Sequence, residues 1–143
     1  MPNTLTLHND IKEVELLPAW LETLSETMPL NAGDVMQLNL AIEEAVVNVM
    51  EYAFPNGDKH EFTLTADVEA DGLQGGEIVK FVLTDDGIPF DPTKEEDPDV
   101  TLSAEERQIG GLGIFLVKNI MQSVEYSRVD GQNVLTMKYK PQI

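Results

Sequence analysis

The spacing of apolar residues switches along the chain between every second position and every third or fourth, and each switch marks an element. Thr4 to His8 alternate as a short strand. Asn9 or Asp10 then caps a helical stretch running to about Met28. Leu16, Leu17, Trp20, Leu21 and Leu24 are its packing side, and Pro18 either sits in a first turn or divides it. A second helix is clearer. Asp34 suits its N-cap, Leu38, Ile42, Ala45, Val49 and Tyr52 recur at spacings of four and three, and Pro55-Asn56-Gly57 stops it near Phe54. Phe62, Leu64, Ala66 and Val68 alternate within a strand from Glu61 to Glu69. The turn Asp71-Gly72-Leu73-Gln74-Gly75-Gly76 leads into a strand from Ile78 to Thr84, and the two pair as a hairpin. Gly110 to Gln122 reads as a helix opened by glycines. Val124 to Val129 and Asn133 to Tyr139 flank Asp130-Gly131, a strong signal for a tight hairpin turn. Two or three helices with at least four mainly antiparallel strands predict an α+β fold, a two-layer sandwich with its helices on one face of the sheet.

Composition narrows the class. The 143 residues suit a single domain over 1–143, without repeats, able to bury roughly 68–70% of the surface of its unfolded chain. Twenty-six acids against nine bases give a net charge of −17, which repels phosphate backbones and argues against direct nucleic-acid binding. A basic protein partner, or a ligand neutralised by a cation, is compatible with it. The absence of cysteine excludes disulfides, Cys-based zinc sites and thiol nucleophiles. No apolar run approaches the ~20 residues of a membrane span and no leader opens the chain, so a cytoplasmic protein without membrane contact is expected. Residues 85 to 106 hold nine acids, one base and three prolines, which oppose regular structure. A solvated loop is the plain reading; glycine motifs on both sides favour a lid at about 92–109.

Three constellations carry candidate chemistry. Glu44 and Asn48, with Glu51 beyond, share one side of the second helix, which has no Lys or Arg between Val35 and Phe54. Such a pair is more often a solvated stripe; chemically, it can hold a hydrated Mg²⁺ and activate a neighbouring hydroxyl. Asp85, at a strand end and followed by Gly87 and Pro89, can accept from an exocyclic amino group while Gly87 admits a flat ring, or the run is simply a Gly-Pro turn. Gly110, Gly111 and Gly113 open a helix whose N–H groups and dipole favour phosphate. That provision matters in a chain so acidic, since amides and Mg²⁺ bind a triphosphate without lysines. A Rossmann unit and a P-loop are both disfavoured, by the missing parallel βαβ unit and the missing Lys. His8 and His60 are expected at the surface, away from catalysis and metal.

The order of the three is more specific than any one. It resembles the Bergerat ATP-binding domain of DNA gyrase, heat-shock chaperones, histidine kinases and mismatch-repair ATPases. Within it, Glu44-Ala45-Val46-Val47-Asn48, Asp85-Asp86-Gly87-Ile88-Pro89-Phe90-Asp91-Pro92 and Gly110-Gly111-Leu112-Gly113-Ile114-Phe115-Leu116-Val117 look like the bacterial anti-sigma factor serine kinase branch, over roughly residues 5 to 140. The resemblance implies ATP and Mg²⁺ as cofactors. It makes Asn48 the Mg²⁺ and phosphate ligand, Glu44 the general base, Asp85 the acceptor for the adenine amino group with Gly87 and Pro89 beside the base, and Gly110, Gly111 and Gly113 the lid and helix end over the phosphates. Three departures stand out: Tyr52 where many relatives have His, Pro89 for a second Gly, and Arg107 two residues farther from Gly-x-Gly than a phosphate-contacting Arg. The implied function is a Ser/Thr protein kinase that phosphorylates an anti-sigma factor antagonist and captures a sigma factor in its other state. The alternative is a nucleotide-binding module that acts by sequestration alone. A histidine kinase is disfavoured because the first 30 residues leave no room for a phospho-acceptor helix. Association through the N-terminal helix, as in the family, allows a homodimer.

Overall fold

A computed structural model describes residues 3–54, 59–73, 75–94 and 111–142. Five strands form one sheet of order β1-β2-β3-β5-β4, every neighbouring pair antiparallel: β1 (Asn3–His8), β2 (Glu61–Ala70), β3 (Glu77–Asp85), β4 (Ser123–Val129) and β5 (Gln132–Tyr139). Three helices, α1 (Leu16–Ser25), α2 (Ala32–Tyr52) and α3 (Gly111–Ile120), complete the expected α+β sandwich, with α2 packed against both of the others. The period-two pattern of β2 delivers Phe62, Leu64 and Ala66 to the core, where they meet Leu17, Leu21 and Leu24 of α1, Leu38, Ile42 and Val46 of α2, and Ile114 and Val117 of α3. Trp20 packs edge-on to Phe81 at 6.2 Å, as expected of a packing residue, whereas Leu16 is exposed.

Some boundaries differ from the sequence reading, each for a local reason. The first helical stretch divides: Asp10 caps a 3₁₀ turn over Ile11–Glu15 by accepting from Lys12 N, and Pro18 then sits in the first turn of α1, where its missing N–H costs nothing. That helix ends at Ser25, short of Met28. Asp34 is not the N-cap of α2. Asn31 is, and Asp34 is the third helical residue of a capping box: Asn31 Oδ1 accepts from Asp34 N at 2.8 Å while Asp34 Oδ2 accepts from Asn31 N at 3.0 Å. Pro55-Asn56-Gly57 lies outside the described residues. The Asp130-Gly131 turn is confirmed, with φ of 50° and 78°, the left-handed pair of a two-residue hairpin.

Asp34 also ties the chain's end to this helix. It is fully buried, and its Oδ1 accepts from Tyr139 OH at 2.5 Å and from Gln142 N at 3.0 Å. Burial works to raise its carboxyl; the bonds from Tyr139, Asn31 and Gln142 outweigh it and hold the group below the usual carboxylate range. A lowered folded-state pKa contributes stability above the unfolded value of ~3.9 and loses it as pH falls through the folded value. Tyr139→Phe leaves one buried carboxylate oxygen short of a donor and should cost about 1–3 kcal/mol in urea unfolding, with the loss shrinking at pH below ~3.9. A variant indistinguishable from wild type at neutral pH would show that this tie contributes nothing to stability.

Candidate functional site

The inward positions of β3 and β5 face each other across the ladder as Val79 with Tyr139, Phe81 with Met137, Leu83 with Leu135 and, last, Asp85 with Asn133. The apolar series thus ends in a polar pair, both buried, at the rim where α2 passes over the sheet. Asn133 Nδ2 donates to Asp85 Oδ1 at 2.9 Å, and Gly87 N donates to the same oxygen at 2.9 Å. Burial raises the Asp85 carboxyl; the bonds from Asn133 and Gly87 and the nearby Arg128 oppose the rise without cancelling it.

Above this pair lies a narrow, mainly apolar cleft between α2 and the sheet. Ala45, Asn48 and Val49 of α2 form one wall. Leu83 and Asp85 of β3, with Leu135 and Asn133 of β5, form the floor; Phe90, Pro92 and Tyr126 close the side. The resemblance assigns Asn48 and Asp85 to one site, and the two line the same cleft. Asn48 is only 4% exposed, yet no described residue hydrogen-bonds its carboxamide. At the wall of the cleft, that carboxamide oxygen is a ready ligand for a hard cation entering with a ligand. Among the described residues no group of three or more His, Asp or Glu could hold a metal, so such a cation would need further oxygens from that ligand.

Glu44 lies one turn before Asn48 on the same side of α2, half-buried. Burial first, then repulsion from Glu43 and Glu51, push its carboxyl above the ordinary glutamate range, the direction a general base requires. Gly87 has a reason the sequence did not supply: a Cβ there would stand 2.3 Å from Ala53 O, at the end of α2. Ile88 N donates to that carbonyl at 2.9 Å, so the loop after Asp85 is docked on the last turn of the helix carrying Glu44 and Asn48. Pro89 lines a second groove behind that loop, with Phe54, His60, Asp86 and Arg128. His60 stacks on Phe54 at 4.5 Å and lies 3.5 Å from Asp86, while His8 bonds Glu13. Tyr52 stacks on Phe90 at 5.2 Å.

Gly111 and Gly113 fall in the first turn of α3. Gly110, Arg107 and the lid from residue 95 onward lie outside the described residues; its start, Pro92–Lys94, is a 3₁₀ turn. Asn133, Tyr126, Arg128 and Phe90 were missed by the sequence reading. One signal existed for Asn133: it is the polar member of an otherwise apolar inward series with Leu135, Met137 and Tyr139.

A family model, histidine kinase-like ATPase domain, matches residues 7–139. The chain is 30% identical over 118 residues to the serine/threonine-protein kinase BtrW of Bordetella bronchiseptica, covering 82% of this chain and 79% of that protein. It is 30% identical over 109 residues to the serine-protein kinase RsbW of Listeria monocytogenes, covering 73% of this chain and 66% of that one. Among solved structures, the RsbU and RsbW domains of Rv1364c from Mycobacterium tuberculosis match with a TM-score of 0.63 at 18% identity, which shows the fold. That match covers 98% of this chain, which spans about a third of the other.

A carboxylate kept where burial and like charges oppose it weakens the fold. Its folded-state pKa is raised, so the fold is relatively favoured below the unfolded value of ~4.3 and penalised as pH rises through the folded one. Glu44→Gln should therefore raise the melting temperature by about 1–4 °C at pH 7 and leave it unchanged near pH 4. A lower melting temperature at pH 7 would mean that Glu44 is a structural residue.

Proposed function

We propose, from the premise that this chain belongs to the histidine kinase-like ATPase domain family and is a protein serine/threonine kinase of it, that the cleft over Asp85 and Asn133 binds ATP and that Glu44 serves phosphoryl transfer. The convergence of Asp85 and Asn48, whose carboxamide no described residue hydrogen-bonds, on one cleft, with Glu44 a turn away, carries this reading. Asp85 accepts the adenine amino group, with Gly87 and Pro89 in the loop at the base. Asn48 offers its side-chain oxygen to Mg²⁺, which neutralises charge on the phosphates when bound. Gly111 and Gly113, preceded in the sequence by Gly110, present backbone N–H groups to the phosphates at the start of α3, where the helix dipole favours anions. Glu44 orients the incoming hydroxyl and takes its proton, which a carboxylate with a raised pKa does better than an ordinary one.

The substrate is a Ser or Thr hydroxyl on an anti-sigma factor antagonist, and the competing partner is a sigma factor, which places the protein in the cytoplasm. One domain over 1–143 carries the activity, with residues 92–109 as its lid. No helix among the described residues is long and apolar enough to cross a membrane. A homodimer through the N-terminal helix fits the same scheme.

The test separates the two polar residues of α2. Intact-mass measurement of the candidate antagonist after incubation with Mg-ATP reads transfer, and nucleotide titration reads binding. Glu44→Gln should retain Mg-ATP and lose about 10²–10⁴-fold in rate, whereas Asn48→Ala should lose affinity for Mg-ATP. Transfer by Glu44→Gln at the wild-type rate would exclude the base, and normal Mg-ATP binding by both variants would move the site off this helix.

A further inference from the structure

Asn133 holds more of the site together than any residue the proposed mechanism uses. It is 4% exposed and its carboxamide is fully engaged. Nδ2 donates to Asp85 Oδ1 at 2.9 Å and to Ile88 O at 2.7 Å. Oδ1 accepts from Phe90 N at 3.2 Å, Tyr126 OH at 2.5 Å and Arg128 Nη1 at 3.1 Å. The orientation of the amide is forced, because the reverse would set its oxygen against a carboxylate and a carbonyl and its NH₂ against a backbone N–H and a guanidinium.

Two consequences follow for Asp85. Its Oδ1 is committed to Asn133 and Gly87, while no described residue donates to Oδ2. The bond from Asn133 is also the largest influence opposing the rise that burial imposes on the carboxyl; Gly87 N and Arg128 add to it, and Asp86 works the other way. An ionised Oδ2 accepts and cannot donate, so it pairs with a 6-amino group and repels the 6-oxo group of guanine. A protonated carboxyl in the same place could donate to that 6-oxo group.

We propose that Asn133 is a positioning residue for purine selectivity, engaging Asp85 Oδ1 so that Oδ2 is left as the acceptor, while bracketing the 88–90 loop that walls the slot. This rests on the reading of the cleft as an adenine site. Asn133 acts through Asp85 and through the loop, on nucleotide choice. The transfer chemistry assigned to Glu44 and Asn48 is left alone.

Asn133→Asp keeps size and shape but replaces the Nδ2 donor by an acceptor, so two facing carboxyls share a proton and Asp85 is no longer bound to the acceptor role. Asn133→Ser removes the same donor without adding charge and keeps the test open should the first variant not fold. Tyr126→Phe removes one donor to Oδ1 and leaves both Nδ2 bonds. Calorimetric titration of Mg-ATP and Mg-GTP, with the melting temperature of each variant recorded, gives the ATP-to-GTP ratio of Kd values. The expected result is a preference for ATP that falls at least about tenfold in both Asn133 variants and persists in Tyr126→Phe. A purely structural residue would lower melting temperature and leave the ratio alone. An unchanged ratio in the Asn133 variants, with a wild type that prefers ATP, overturns the role of Asn133 alone. A wild type that does not distinguish the two nucleotides overturns the adenine site, and this proposal with it.

Discussion

A carboxylate buried at the end of a central strand has to be satisfied by the fold itself, and much of the architecture around the cleft follows from that need. Asp85 occupies the last inward position of β3, and its ladder partner on β5 is Asn133. Through Asn133 the demand spreads outward: the amide draws in Tyr126 and Arg128 from the edge strand β4 and fixes Ile88 and Phe90 in the loop. Through Gly87 and Ile88 it reaches the end of α2, since the loop meets Ala53 O too closely for any side chain. One buried charge thereby sets the distance between the helix with Glu44 and Asn48 and the floor of the cleft.

Local physics made most of this readable in advance. The alternation in β2, β3 and β5 and the positive-φ pair at Asp130-Gly131 depend on residues near in sequence, so the strands and their antiparallel pairing came out correctly. Asp34 was misplaced because both Asn31 and Asp34 are good caps, and only Tyr139 and Gln142, more than a hundred residues away, decide which is buried. Leu16 looked like core because it stands one helical turn before Trp20 on the packing side, yet the division of the first helix at the 3₁₀ turn leaves it facing solvent. The same contrast holds at the site. Glu44, Asn48 and Asp85 sit in short motifs, whereas the work of Asn133 is visible only once β3 and β5 are in register. Gly87 was readable as a required glycine, but its cause, the end of α2, is tertiary.

The acidity of the chain and its proposed chemistry fit together. A site that binds a polyanion inside a protein of net charge −17 has to rely on backbone amides, a helix dipole and a divalent cation, and α2 offers acids and a carboxamide where a lysine-based site would offer ammonium groups. The cost is carried by Glu44 and Asp85, whose carboxyls both stand above their ordinary range. Groups held against their preferred protonation mark places where function outweighs stability.

The most direct test is a crystal structure of the protein soaked with Mg²⁺ and a non-hydrolysable ATP analogue. The expected result is the 6-amino group of adenine within hydrogen-bond distance of Asp85 Oδ2, Asn133 unmoved behind it, and the metal on Asn48 Oδ1. Nucleotide bound elsewhere, such as the groove between His60 and Arg128, or an adenine whose amino group faces solvent, would contradict the assignment of the cleft as an adenine site.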